Sequence, residues 1–120
     1  MQIERKDLSE RLLNFAVEIV KLTVRLNGTV TGRHISKQMT RSGTSTGANY
    51  EEACAAESRA DFAHKLQIVL KELKETVYWL RVTDKADLAP REKERIALLL
   101  QEGRELTRIF AKSVVTVKQN

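Results

Sequence analysis

Three groups of residues in this sequence could do chemistry, and spacing defines each. Glu51, Glu52, Glu57, Asp61 and His64 form an acidic run closed by a histidine. Asp61 and His64 are three apart, which on a helix puts a carboxylate and an imidazole on one face, as in the Glu-x-x-His ligands of di-iron bundles. Such a site needs two pairs and two further glutamates, and the other histidine, His34, has no carboxylate three positions before it. No metal or other cofactor is expected, and His64 reads as a solvated or satisfied side chain. Cys54, between Ala53 and Ala55, reads as a small buried residue rather than a reactive thiol. No serine falls in a nucleophile motif, so the sequence predicts no enzyme.

The second group is Gly43-Thr-Ser-Thr-Gly47. A phosphate-cradling Walker loop would follow a strand, open a helix and carry a lysine after its second glycine, and none of these holds. Glycines four apart, flanked by Ser42, Thr46 and Ala48, instead make a flat strip on which a second helix backbone can approach closely. Asn49 sits beside that strip. Its amide either fixes register between helices or lies exposed.

The third group is basic. Arg104, Arg108 and Lys112 recur every four positions, and Lys21 and Arg25 make a shorter stripe. Such stripes can follow phosphates, each contact adding salt-dependent affinity. In a lone monomer they read as solvated helix faces diluted by Glu102 and Glu105, whereas repeated around a ring they sum to a large positive surface. The net charge of +5, from 21 Lys and Arg against 16 Asp and Glu, permits nucleic-acid binding without establishing it. Tyr78-Trp79 offers at most two aromatics and is not read as a base-stacking platform.

Helices must position these groups. One proline and five glycines in 120 residues, with no long alternating segment, indicate an all-α chain of one domain. Asp7-Leu-Ser-Glu10 has the form of a capping box, and Leu8, Leu12, Phe15, Ile19, Leu22 and Leu26 carry a helix over about 8–26. Asn27-Gly28 reads as a left-handed stop. The rhythm Ile35, Met39, Gly43, Thr46, Tyr50, Ala53 runs a second helix over about 34–57, although local propensity alone makes 42–49 a loop. Ser58-Arg-Ala-Asp61 caps a third helix over about 59–82, and Pro90 opens a fourth over about 90–113. The tail from Val114 loses the rhythm and is expected to be loosely ordered. Four such helices with short links predict an antiparallel up-down-up-down four-helix bundle. The lone cysteine, the charged N-terminal residues and the lack of a ~20-residue apolar run lead us to expect a cytoplasmic protein with no membrane partner.

The stretch from Arg41 to Leu80, a third of the chain, closely resembles the signature of the four-helix bundle proteins encoded in intervening sequences of bacterial 23S rRNA genes. The matching positions are Arg41, Ser42, Gly43, Ser45, Gly47, Ala48, Asn49, Glu52, Ala53, Ala55, Ser58, Phe62, Lys65, Leu66 and Trp79, with Thr46 where the family usually has an aliphatic residue. The resemblance implies a non-enzymatic bundle that associates as a ring-shaped homopentamer. A similar fold serves as accessory protein to the reverse transcriptase of diversity-generating retroelements and is thought to bind nucleic acid through a basic surface. Two functions are therefore expected in parallel: binding of ribosomal RNA or another nucleic acid through Lys21, Arg25, Arg104, Arg108 and Lys112, or protein adaptation, for example of a reverse transcriptase. Arg41, Ser42, Gly43, Ser45, Gly47, Asn49 and Glu52 are expected to serve packing or oligomer formation. Arg41 and Glu52, eleven apart, cannot pair along one helix and are expected to meet other helices or other subunits.

Overall fold

A computed structural model of the chain, in which residues 5–119 are described, contains four long helices and two short 3-10 turns. The order is α1 (Arg5–Thr23), a 3-10 turn (Val24–Leu26), α2 (Val30–Cys54), α3 (Arg59–Lys85), a 3-10 turn (Pro90–Glu92) and α4 (Lys93–Gln119). Each helix packs on the next in sequence, and α4 returns to α1 through a sparser contact. Cross-helix pairs fix the directions. Gly47 meets Leu12 while Gly43 meets Ile19, Ser45 meets Glu72 while Glu52 meets Lys65, and Arg11 meets Glu102 while Arg95 meets Glu18. Every neighbouring pair is antiparallel, so the chain is an up-down-up-down four-helix bundle measuring 46 × 25 × 21 Å.

The core follows the expected stripes. Leu12, Phe15, Ile19 and Leu22 of α1 pack with Met39 of α2, Val69, Leu73 and Leu80 of α3, and Ile96, Leu106 and Phe110 of α4, all essentially without solvent contact. Burial of this apolar surface, at about 25 cal/mol per Å², is the main stabilising term.

The helix ends differ from expectation in ways that have local causes. Arg5 is already helical, so Asp7 lies inside α1 instead of capping it, with its carboxylate near the positive end of the helix. The Asn27-Gly28 left-handed stop is not formed: Asn27 has φ −79°, and no described glycine has positive φ. The chain instead tightens into the 3-10 turn and restarts at once. The Thr29 hydroxyl accepts a hydrogen bond from the Gly32 amide at 2.9 Å, which caps α2 four residues earlier than expected. A Cβ on Gly32 would fall 1.9 Å from the Leu26 carbonyl oxygen, so this reversal requires glycine. The helix α2 also ends three residues early, at Cys54. Ser58 caps α3 as expected, its hydroxyl accepting from the Asp61 amide at 3.0 Å. The α3–α4 turn contains Asp87 at φ 54°, the left-handed conformation that an aspartate tolerates.

The tail is the largest difference. Residues 114–119 continue α4. Val114 is buried and Val117 packs against the core, so Phe110, Val114 and Val117 extend the four-three rhythm. The β-branched run Val114-Val115-Thr116-Val117 hid it, because such residues disfavour helix only weakly and tertiary packing overrides them.

Candidate nucleic-acid interface

The small-residue strip resolves into two contacts with opposite faces of α2. Gly43 faces α1, where an added Cβ would lie 2.9 Å from Ile19 Cγ2 and 3.2 Å from its Cγ1. Gly47 lies less tightly against Leu12, with 3.6 Å to its Cβ. Thr46, the departure from the aliphatic pattern, is fully buried and its hydroxyl donates to the Gly43 carbonyl at 3.0 Å, so its polarity is satisfied within α2.

On the α3 side the same helix builds a polar seam. The Thr76 hydroxyl, fully buried, donates to Ser42 Oγ at 2.8 Å. Ser45 Oγ donates to Glu72 Oε2 at 3.0 Å, and Arg41 Nη1 donates to the same oxygen at 3.0 Å. Arg41 also reaches Glu75, which in turn accepts from the Trp79 indole at 3.1 Å. The Arg41 hydrogen bond, with that of Trp79 adding to it, holds the Glu75 carboxyl below the usual carboxylate range. Glu52 pairs with Lys65 at 2.7 Å. Arg41 and Glu52 thus meet another helix of the same chain. The Asn49 amide donates to the Ser45 carbonyl of its own helix at 2.8 Å and does not bridge helices.

Because this seam draws Glu72 and Glu75 toward α2, the opposite side of α3 is left without carboxylates from Gln67 to Thr83. It carries Lys71, Lys74, Tyr78 and Arg81, spaced three, four and three apart and all exposed. On α4, Glu102 and Glu105 are drawn the other way, to Arg11 of α1, at 2.7 and 3.4 Å. Arg104 and Arg108 remain on the α3 side, where they line a shallow groove of about 290 Å³ with Lys74, Val77 and Thr107. Arg108 and Lys112 continue along an adjoining surface with Ile109, Ala111 and Val115. Among the described residues none of these six cations forms an ion pair within 4 Å, although Lys71, one turn before Glu75, adds to the charge that acts on that carboxyl.

Three of the five cations singled out in the sequence therefore share a face, and two do not. Lys21 belongs to α1, which lies diagonally across the bundle from α3, and Arg25 to the 3-10 turn that follows it, while Lys21 is occupied by Glu18 at 3.1 Å. Sequence reasoning missed Lys71, Lys74 and Arg81. Their periodicity was visible, but the significance of the stripe lay in where Glu72 and Glu75 point. The aromatic pair also divides: Trp79 is turned toward α2, edge-on to His34 at 6.1 Å, while Tyr78 is exposed beside the cations of α3. A face of this kind can hold a phosphate backbone, with one exposed aromatic ring available for stacking.

The other chemical candidates find no such arrangement. His64 and Asp61 are exposed, and no group of three or more His, Cys, Asp or Glu side chains among the described residues is placed to hold a metal ion. Cys54 is half-buried beside Tyr50, whose hydroxyl is pushed up to about 12 by burial and then by Cys54. No described helix is long and apolar enough to cross a membrane.

No curated protein matches the chain. A solved structure from Bacteroides thetaiotaomicron VPI-5482, described as a protein with unknown function from the S23 ribosomal protein family, is similar at 37% identity and a TM-score of 0.78, covering 88% of this chain and 96% of its own. The model of one family, 23S rRNA-intervening sequence protein, matches residues 4–112. With nearly the whole bundle inside that match, the chain belongs to the 23S rRNA-intervening sequence protein family.

Proposed function

We propose that this protein is a non-enzymatic, self-associating bundle that binds RNA through the phosphate contacts of its α3–α4 face. The observation that carries the reading is the segregation of charge. Lys71, Lys74, Arg81, Arg104, Arg108 and Lys112 are exposed on that side outside any ion pair, while Glu72 and Glu75 of α3 are tied to α2 and Glu102 and Glu105 of α4 to α1. Arg104 to Lys112 spans about 12 Å of helix, at 1.5 Å per residue. This is the length of three to four phosphate steps at ~3.4 Å each. Backbone contacts of this kind give affinity with little sequence preference. Family membership makes ribosomal RNA the first ligand to test. The resemblance to ring-forming relatives makes five copies the assembly to expect, in which the face would be repeated around the ring.

The test is titration of the purified protein with labelled 23S rRNA fragments at several salt concentrations. If about six cations meet a single strand, log K should fall with log salt at a slope of about −4 per protomer engaged. An affinity unchanged between low and moderate salt would refute the phosphate mechanism. Absence of RNA binding at any salt would move the assignment to a protein adapter of the kind that serves a reverse transcriptase.

A further inference from the structure

Of the six Phe, Trp and Tyr side chains, all among the described residues, Tyr78 alone is exposed, at 58%. It stands at the centre of a stripe, Lys71, Lys74, Tyr78, Arg81 and Lys85, spaced three, four, three and four along α3. Two cations therefore precede the ring and two follow it on one side of the helix. Toward α2, Trp79 meets Tyr78 edge-on, with ring centroids 5.3 Å apart and 73° between the planes. Trp79 is itself held, its indole N–H donating to Glu75, which Arg41 binds in turn. The pair is thus not a platform of two rings: Trp79 is the support, and it covers at most one face of Tyr78. Toward α4, Lys74 and Val77 lead into the groove that Arg104 and Arg108 also line.

We infer that Tyr78 stacks an unpaired RNA base while the cations on either side of it hold the neighbouring phosphates, so that this face takes single-stranded or looped RNA; this rests on the RNA reading above and names the form of RNA. The bundle itself does not call for an aromatic ring here, because Val77, Trp79 and Val82 pack against the core and Tyr78 does not. Reach favours the arrangement. Lys74 and Arg81 lie about 6 and 4.5 Å from Tyr78 along the helix axis, at 1.5 Å per residue, within the span of their own side chains. Charge favours it too. Of the carboxylates closest along α3, Glu75 is turned to Arg41, and Asp84 lies about 120° around the helix from Tyr78. The ring selects among nucleic acids by access. Inside a duplex each base face is covered by its neighbours in the stack, whereas a splayed-out base of a loop or single strand can lay its face on an aromatic side chain.

The test titrates an unstructured RNA strand and a blunt RNA duplex of the same length into wild type, Tyr78→Ala, Tyr78→Leu and Tyr78→Phe. Tyr78 is exposed and outside the core, so all three variants should keep the wild-type unfolding midpoint. Tyr78→Ala should bind the strand about 5- to 150-fold more weakly, the loss expected when one stacked ring is removed, and the duplex as well as wild type does. Tyr78→Leu, which keeps bulk beside Trp79 without a ring, should match Tyr78→Ala, and Tyr78→Phe should match wild type. The salt slope should be the same in all four proteins, since no charge is removed. Equal losses on strand and duplex, no loss on either, or a Tyr78→Phe variant as weak as Tyr78→Ala would overturn the stacking role and leave the phosphate contacts standing. A wild type that binds only the duplex would do the same. A wild type that binds neither RNA would overturn both proposals.

Discussion

The α2–α3 seam and the α3–α4 outer face share a helix and treat charge in opposite ways. In the seam every ionic group has a partner: Glu72 accepts from Arg41 and Ser45, Glu75 from Arg41 and Trp79, and Glu52 from Lys65. Across α3, about 180° away, Lys74 shares a groove with Arg104 and Arg108 with no carboxylate to answer them. The difference teaches that one arrangement produces the other. Each glutamate drawn into the seam is turned from the outer face, so a structural network adds to the modest excess of cations on α3, six against four acidic residues, in concentrating positive charge elsewhere.

The sharpest way to break the comparison is to remove the seam's central acceptor. Glu72 is only 7% exposed, and Glu72→Ala leaves Ser45 and Arg41 without their shared oxygen. Breaking a fully buried ion pair costs 3–5 kcal/mol, and because half of the Arg41 side chain is exposed the expected loss is about 2–3 kcal/mol. Urea denaturation should show it, with RNA affinity of the folded protein unchanged. A loss below 0.5 kcal/mol would mean that the seam is decoration rather than support.

The converse substitution acts on the other region. Replacing Arg104, Arg108 and Lys112 together by alanine removes no ion pair, so stability should stay within about 0.5 kcal/mol. The salt slope of RNA binding should become shallower by about 2, three contacts at ~0.7 each. Alanine at Lys21, Arg25 and Lys37 should leave the slope nearly unchanged, because these residues lie on α1, the 3-10 turn after it and α2, away from the α3–α4 face. Equal effects of the two sets would show that net charge, and not the α3–α4 face, governs binding.

How far these regions were legible in the sequence depended on whether a feature was local. The core rhythm from Leu8 to Leu26 and the Ser58 cap follow from spacing and a single side chain, and the structure contains both. The continuation of α2 through Gly43 and Gly47 ran against local propensity, and periodicity was the better guide because the glycines are held by packing on α1. Three things were not local. The course of α4 past Val114 depends on the core that Val117 reaches, the start of α2 at Thr29 on a turn only Gly32 permits, and the basic face on glutamates committed to another helix. Arg41 and Glu52 were recognised as partners for something beyond their own helix, but spacing within α2 carries no information about which residues of α3 stand opposite.

The two glycines of α2 offer the finest discrimination, since they share a helix and differ in what lies above them. Gly43→Ala would place a Cβ 2.9 Å from Ile19 Cγ2 and within 3.3 Å of two more atoms of that side chain, so α1 and α2 must separate or Ile19 must leave its position in the core. Overpacking of this kind costs about 1–3 kcal/mol, more than the gain of up to about 1 kcal/mol from replacing glycine in a helix. At Gly47 the nearest atom is Leu12 Cβ at 3.6 Å, an ordinary contact, so alanine there keeps the packing and gains the propensity. The expected changes therefore have opposite sign: Gly43→Ala should lower the urea midpoint and Gly47→Ala should raise it by about 0.5–1 kcal/mol in stability. If both raised it, the close approach of α1 and α2 would need no glycine, and the family's glycine pair would have to be explained by something other than this contact.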